Sequence, residues 1–211
     1  MKVSEIFFSV EGEGIEIGRP EVFIRLAGCN LRCKWCDTKY ALQNGKEIDI
    51  DEIIQKVSKY PYKNVSITGG EPLLQKELVN LIRELKTMNY WIQINTNGTI
   101  FDEEVFKQID LISMDCKCPS SGMESDLEVL KRTKELFSSK TQFKFVILDE
   151  EDYKYAKKIV SSLNAPNVVF QPEWNSMKFA EKLVELIRED GLNVRVIVQQ
   201  QKVIWSVKRG V

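Results

Sequence analysis

The sequence predicts an α/β fold: an open, partial parallel β/α barrel, built as one domain over residues 1–211. Three observations carry that expectation. Short β-rich runs alternate with longer amphipathic segments, the pattern of parallel strands joined by crossover helices. Glycine- and cysteine-rich motifs recur just after the β-rich runs, where such folds place their chemistry. The chain has 211 residues, short of the roughly 250 of a closed eight-fold barrel.

Strands are expected over 22–26, 64–68, 91–95, 111–115, 142–147, 167–171 and 193–198. Helices fall between them. The segment 50–59 sets Ile50, Ile53, Ile54 and Val57 on one face, and 76–88 does the same with Leu78, Leu81, Ile82 and Leu85. Segments 124–137, 151–163 and 177–190 read the same way. Asp49 or Asp51 suits the N-cap of the first helix, Asp102 that of a short helix after 91–95, and Asn175 or Ser176 that of the last. No Pro/Gly-rich linker or internal repeat divides the chain.

Composition excludes several function classes. A formal net charge of −1 leaves no global basic footprint for nucleic acid. No run approaches the roughly 20 apolar residues of a membrane span, and the N-terminus lacks a signal-peptide pattern, so the expected location is the cytoplasm. The count of histidines is 0. That rules out a Ser-His-Asp triad within the chain, zinc sites with His ligands, and any imidazole base.

Three of the 5 cysteines crowd one stretch, Cys29-x3-Cys33-x2-Cys36. Three thiolates on one loop suit three irons of a 4Fe–4S cluster, with the fourth iron open to another ligand. Structural zinc is the alternative. It needs a fourth ligand from Asp37, Cys116 or Cys118, and the spacing does not match paired C-x2-C knuckles. Cys116 and Cys118 themselves read as reduced pocket or core cysteines.

The remaining motifs follow expected strands. Gly69-Gly70-Glu71-Pro72 can let backbone approach a ligand beside a carboxylate, or be a plain turn. Thr96-Asn97-Gly98 reads as a tight turn and Asp115-Cys116-Lys117 as a strand end with a charged exit. Glu11-Gly12-Glu13-Gly14 reads as a bent loop presenting carboxylates.

The cysteine spacing, with Trp35 before the last cysteine, resembles the signature of the radical S-adenosylmethionine superfamily. The resemblance implies that the amino and carboxylate groups of S-adenosylmethionine chelate the open iron. An electron from the cluster then cleaves the sulfonium, and the resulting adenosyl radical takes a hydrogen atom from substrate. Residues 5–14, the lead-in Phe23-Ile24-Arg25-Leu26-Ala27-Gly28, the 119–123 segment and the C-terminal 205–211 segment narrow this further. Together they resemble the 7-carboxy-7-deazaguanine synthase family over nearly the whole chain.

That resemblance implies conversion of 6-carboxy-5,6,7,8-tetrahydropterin to 7-carboxy-7-deazaguanine with loss of ammonia, on the route to queuosine or archaeosine in tRNA. It implies no direct contact with nucleic acid, a reductant such as flavodoxin or ferredoxin, and a homodimer. By the same resemblance Val10, Glu11, Gly12, Arg25 and Thr96 contact substrate. Trp35, Cys36, Asp37, Gly70, Glu71, Gly98, Asp115, Cys116 and Lys117 contact S-adenosylmethionine, and Thr38 binds Mg2+. Two positions depart from the family pattern: Glu11 stands where glutamine is usual, and the C-terminal histidine of many relatives is missing. The cysteine motif alone also fits a glycyl-radical-enzyme activase, whose substrate is a protein, or a non-enzymatic iron–sulfur or zinc module.

Overall fold

The computed structural model describes residues 1–211. Each expected strand is present: β2 (Pro20–Leu26), β4 (Asn64–Gly69), β5 (Trp91–Thr96), β6 (Leu111–Cys116), β7 (Thr141–Ile147), β8 (Val168–Pro172) and a shortened β9 (Arg195–Val196). Two strands are additional, β1 (Lys2–Val10) and β3 (Lys46–Glu47). The nine strands form one sheet in the order β3-β1-β2-β4-β5-β6-β7-β8-β9. From β2 to β9 every pairing is parallel. The β1 pairings with β2 and β3 are antiparallel. The two end strands do not pair with each other, so the barrel is open.

Helices α1 (Ile50–Val57), α2 (Leu78–Thr87), α3 (Glu103–Gln108), α4 (Leu127–Phe137), α5 (Glu150–Leu163) and α6 (Ala180–Asp190) lie between the strands, and α7 (Gln200–Trp205) follows β9. Side-chain caps fix several starts. Asp49 accepts from Glu52 N, and Asp102 from Val105 N. The cap expected from Asn175 or Ser176 is not there. That stretch forms a separate 3-10 segment whose cap is Glu173, and α6 starts after Phe179 with no side-chain cap bond. Glu173 accepts from Asn175 N at 2.8 Å and from Asn175 Nδ2 at 3.0 Å, so the Asn175 side chain is turned back toward Glu173.

The strands have two chemically distinct faces. Val22, Ile24 and Leu26, then Val65 and Ile67, Ile92 and Ile94, Ile112 and Met114, and Phe143 and Phe145 are all buried in one apolar core. Leu78, Leu81, Ile82 and Leu85 of α2 join the same core, each contributing about 2 kcal/mol by leaving water. Alternate residues face the barrel interior, and apart from Phe23 and Val146 these are polar: Glu21 and Arg25, Ser66 and Thr68, Gln93 and Asn95, Ser113 and Asp115, Gln142 and Lys144. A closed barrel fills that space with branched apolar side chains. Here the interior is built for polar contacts.

Candidate functional site

The cysteine loop crosses the C-terminal ends of β2, β4 and β5. Gly70 N donates to Leu26 O at 3.1 Å and Glu71 N to Gly28 O at 2.8 Å, so the loop and the glycine motif share backbone hydrogen bonds. Asn97 Nδ2 donates to Asn30 Oδ1 at 2.9 Å. The far side is tied to the segment after β6. Lys34 N donates to Ser121 O at 2.9 Å, and Trp35 Nε1 to Ser120 Oγ at 3.1 Å.

Cys29, Cys33 and Cys36 are free, half-buried thiols lining one cavity. Burial pushes the Cys33 thiol above its ordinary pKa, against the pull of nearby Lys117. No three His, Cys, Asp or Glu side chains converge on a single ion position. Each thiolate of a cubane binds its own iron, and three thiols from one loop facing one cavity suit that group. Leu31 N at 3.4 Å and Asn97 Nδ2 at 3.8 Å both face Cys29 Sγ, donors that stabilise a thiolate. Cys36 Sγ lies 3.6 Å from Thr38 Oγ1.

The same cavity is lined by Val10, Glu11, Gly12, Arg25, Trp35 and Asp37, and further by Thr38, Gly70, Thr96, Asp115 and Lys117. Three residues expected there are turned away. The Glu71 carboxylate is fully buried and takes Thr96 Oγ1, Asn97 N and Leu73 N as donors. Burial raises its pKa in spite of those bonds. Cys116 packs in the apolar core, as does Cys118. Gly98 holds φ +70, and a Cβ there would sit 3.0 Å from Leu130, so it is a tight turn behind the wall.

Arg25 is anchored through one edge. Its Nε donates to Glu5 Oε1 at 2.7 Å, and Tyr40 and Arg209 also bond that carboxylate. Burial works against the Glu5 anion, but these three donors outweigh it and hold its pKa below the usual value. Arg25 is left with its terminal guanidinium nitrogens unpaired inside the chain.

Several lining residues escape the motifs. Lys144 pairs with Glu13 and lies 3.7 Å from Asp115, whose other neighbour Lys117 is 2.9 Å away. Burial disfavours the Glu13 anion, yet Lys144, Gln199 and Gln201 outweigh it and hold its pKa at about 2. Glu13 likewise raises the Lys144 pKa against burial. The signal for Lys144 was present: a lysine alternating with Phe143 and Phe145 must point away from the apolar core. Gln199, Gln201 and Lys202 carry no motif and arrive from α7 and the residue before it, with Gln200 N bonded to Gly12 O at 2.9 Å.

Residues 23–115 match the model of the radical SAM superfamily. A 7-carboxy-7-deazaguanine synthase from Thermoplasma acidophilum is 36% identical over 100% of both chains. The chain belongs to the 7-carboxy-7-deazaguanine synthase family. A family member from Methanospirillum hungatei is 42% identical over 77% of this chain and 68% of its own length. The fold is shared with QueE from Escherichia coli, a solved structure with TM-score 0.76 and 21% identity that covers 94% of this chain and 93% of that one. Membership of this family makes the chain an enzyme whose chemistry depends on an iron–sulfur cluster and S-adenosylmethionine. No helix is long and apolar enough to cross a membrane.

Proposed function

We propose that this chain converts 6-carboxy-5,6,7,8-tetrahydropterin to 7-carboxy-7-deazaguanine with loss of ammonia, as a carbon–nitrogen lyase feeding deazapurine nucleosides of tRNA. The observation that carries the reading is that Arg25 and Glu11 face the same cavity as the three cysteines, in a chain matched end to end by relatives of that name.

Cys29, Cys33 and Cys36 would hold a 4Fe–4S cluster. When bound, the reduced cluster and S-adenosylmethionine together supply the hydrogen-abstracting radical. The chain itself does the orienting. Arg25 presents two unpaired guanidinium nitrogens for a bidentate grip on the pterin carboxylate. Val10, Glu11, Gly12 and Thr96 border the pterin ring. Trp35, Asp37, Gly70, Asp115 and Lys117 border the cofactor. Thr38 offers its hydroxyl to Mg2+, which favours few protein ligands beside substrate oxygens and water. Glu71 and Gly98 act from behind the wall, by fixing the turn at Thr96 and Asn97. A flavodoxin or ferredoxin would deliver the electron, and a homodimer is the working assembly.

The test is anaerobic turnover of reconstituted protein with the carboxytetrahydropterin, S-adenosylmethionine and reductant, with and without magnesium. A deazaguanine product is expected, in higher yield with magnesium. Cleavage of S-adenosylmethionine without that product would overturn the substrate assignment.

A further inference from the structure

The polar interior below the cavity has two carboxyl groups more than its cations can match. Glu21 of β2 is fully buried opposite Ser9 of β1. Neither Glu21 oxygen has a hydrogen-bond partner, and Ser9 Oγ and Gln93 Oε1 also lack one. Glu11 is 5% exposed and accepts from Gln93 Nε2 at 2.5 Å and from Glu13 N at 3.0 Å. The cations nearby are already committed. Lys144 pairs with Glu13 and Lys117 with Asp115. Arg19 bonds Glu16 and Asn64, and its Nε is 3.9 Å from Glu21, outside hydrogen-bond reach. Glu11 has no ion-paired cation, and Glu21 has only this long contact with an Arg19 that already bonds Glu16. Buried anions in that position take up a proton.

We propose that Glu11 and Glu21 each keep a proton beneath the cavity, so that Glu11 offers an O–H donor to the bound pterin. The role of Glu11 toward pterin rests on the function proposed above. The retained proton does not. The Glu21 and Gln93 oxygens are buried acceptors left without a donor in this part of the interior. An ionised Glu11 could only accept, whereas a pterin edge carries a carbonyl and ring-nitrogen acceptors beside its N–H groups. Burial first, then the charge of Glu13, pushes the Glu11 pKa up to about 7. Burial and then Glu11 push Glu21 up to about 8. As pH rises through this range the proton is lost and pterin affinity falls. Glu11 gives up its proton while Glu21 still carries one, so the fall follows Glu11 and does not depend on a Glu21 charge.

The experiment has two arms. Infrared spectra of substrate-free protein between about pH 6 and about pH 9 read the C=O stretch of a protonated carboxyl. The band is expected at the acid end, lost at the alkaline end, and diminished in both Glu11→Gln and Glu21→Gln. Anaerobic calorimetry then reads pterin affinity over the same range. Wild type and Glu21→Gln are expected to weaken about tenfold over the same range, and Glu11→Gln to show no pH-dependent fall. Absence of the carboxyl band at the acid end in wild type overturns the proposal whether or not either variant folds. A normal band with pH-independent pterin affinity overturns the donor role. A normal band with no pterin binding at any pH overturns the substrate assignment and leaves the retained proton standing.

Discussion

Glu71 Oε2 accepts the backbone N–H of Asn97 at 2.7 Å, joining the end of β4 to the end of β5. The other oxygen takes the Thr96 hydroxyl and Leu73 N–H, so one buried side chain sets the turn that forms part of the cavity wall. Glu71→Ala strips two buried backbone donors of their acceptor. The expected loss is about 2–4 kcal/mol in urea unfolding, since each orphaned donor costs roughly 1–3. Glu71→Gln keeps the shape and one acceptor oxygen and should lose less. Both variants should also retain S-adenosylmethionine more weakly in equilibrium dialysis, because Thr96 and Asn97 are no longer held.

The five cysteines should divide cleanly under substitution. Cys29, Cys33 and Cys36 are half-buried on the cavity wall, and Cys116 and Cys118 are core residues. Alanine at any of the first three should abolish stoichiometric iron after anaerobic reconstitution while moving the apo-protein midpoint by less than about 1 kcal/mol. Alanine at Cys116 or Cys118 should do the reverse: iron binding retained, stability lowered by about 1 kcal/mol through a small cavity. Iron analysis and urea melts on the five variants check this. Loss of iron from Cys116→Ala would place that thiol in the cluster site instead.

Much of the fold is legible in the sequence. Strand positions follow from β-rich runs, and the cluster loop from cysteine spacing alone. The antiparallel β1 carries no clean alternation, because its register shifts between Val3 and Glu5, where Glu5 binds Arg25 and Tyr40. The roles of Glu71, Gly98 and Cys116 needed geometry. A motif says which residues sit at a strand end, but in a pleated strand neighbouring side chains point to opposite faces. Cys116 thus enters the core while its neighbours Asp115 and Lys117 enter the cavity. The α7 contribution could not be read at all. Gln199 and Gln201 reach Glu13 from the far end of the chain, with no local pattern to announce them.

Acid should weaken the protein through Glu13. Its folded pKa is held at about 2, with burial opposed and outweighed by Lys144 and two glutamines. A depressed carboxyl pKa stabilises the fold above the ordinary value, and that stability disappears as pH falls through the folded one. The expected decline therefore runs from about pH 4.5 down to about pH 2. Glu13→Gln should flatten that part of the profile in thermal unfolding followed against pH. Lys144→Met leaves a buried carboxylate with no cation and should cost about 3–5 kcal/mol near neutral pH. Combining the two substitutions should recover much of that loss, because the stranded charge is gone.

Gly70 packs directly against the backbone of the cysteine loop. A Cβ at Gly70 would sit 2.0 Å from Gly28 O and 2.8 Å from Cys29 Cβ. The obstructing atom is backbone, so no side-chain rotation relieves it, and the loop carrying Cys29 must move outward. Gly70→Ala is therefore expected to lose iron retention and S-adenosylmethionine cleavage more than about tenfold, with a stability loss of about 1–3 kcal/mol from overpacking. Gly191→Ala is the matched control. Gly191 sits at the end of α6 with φ +62, and a Cβ there meets nothing within 4 Å. Its replacement should cost about 1 kcal/mol through the left-handed backbone alone and leave iron content unchanged. Equal iron loss in the two variants would mean that general destabilisation empties the site. Loss confined to Gly70→Ala would mean that close backbone packing between the strand β4 exit and the cysteine loop is what holds Cys29 in place for the cluster.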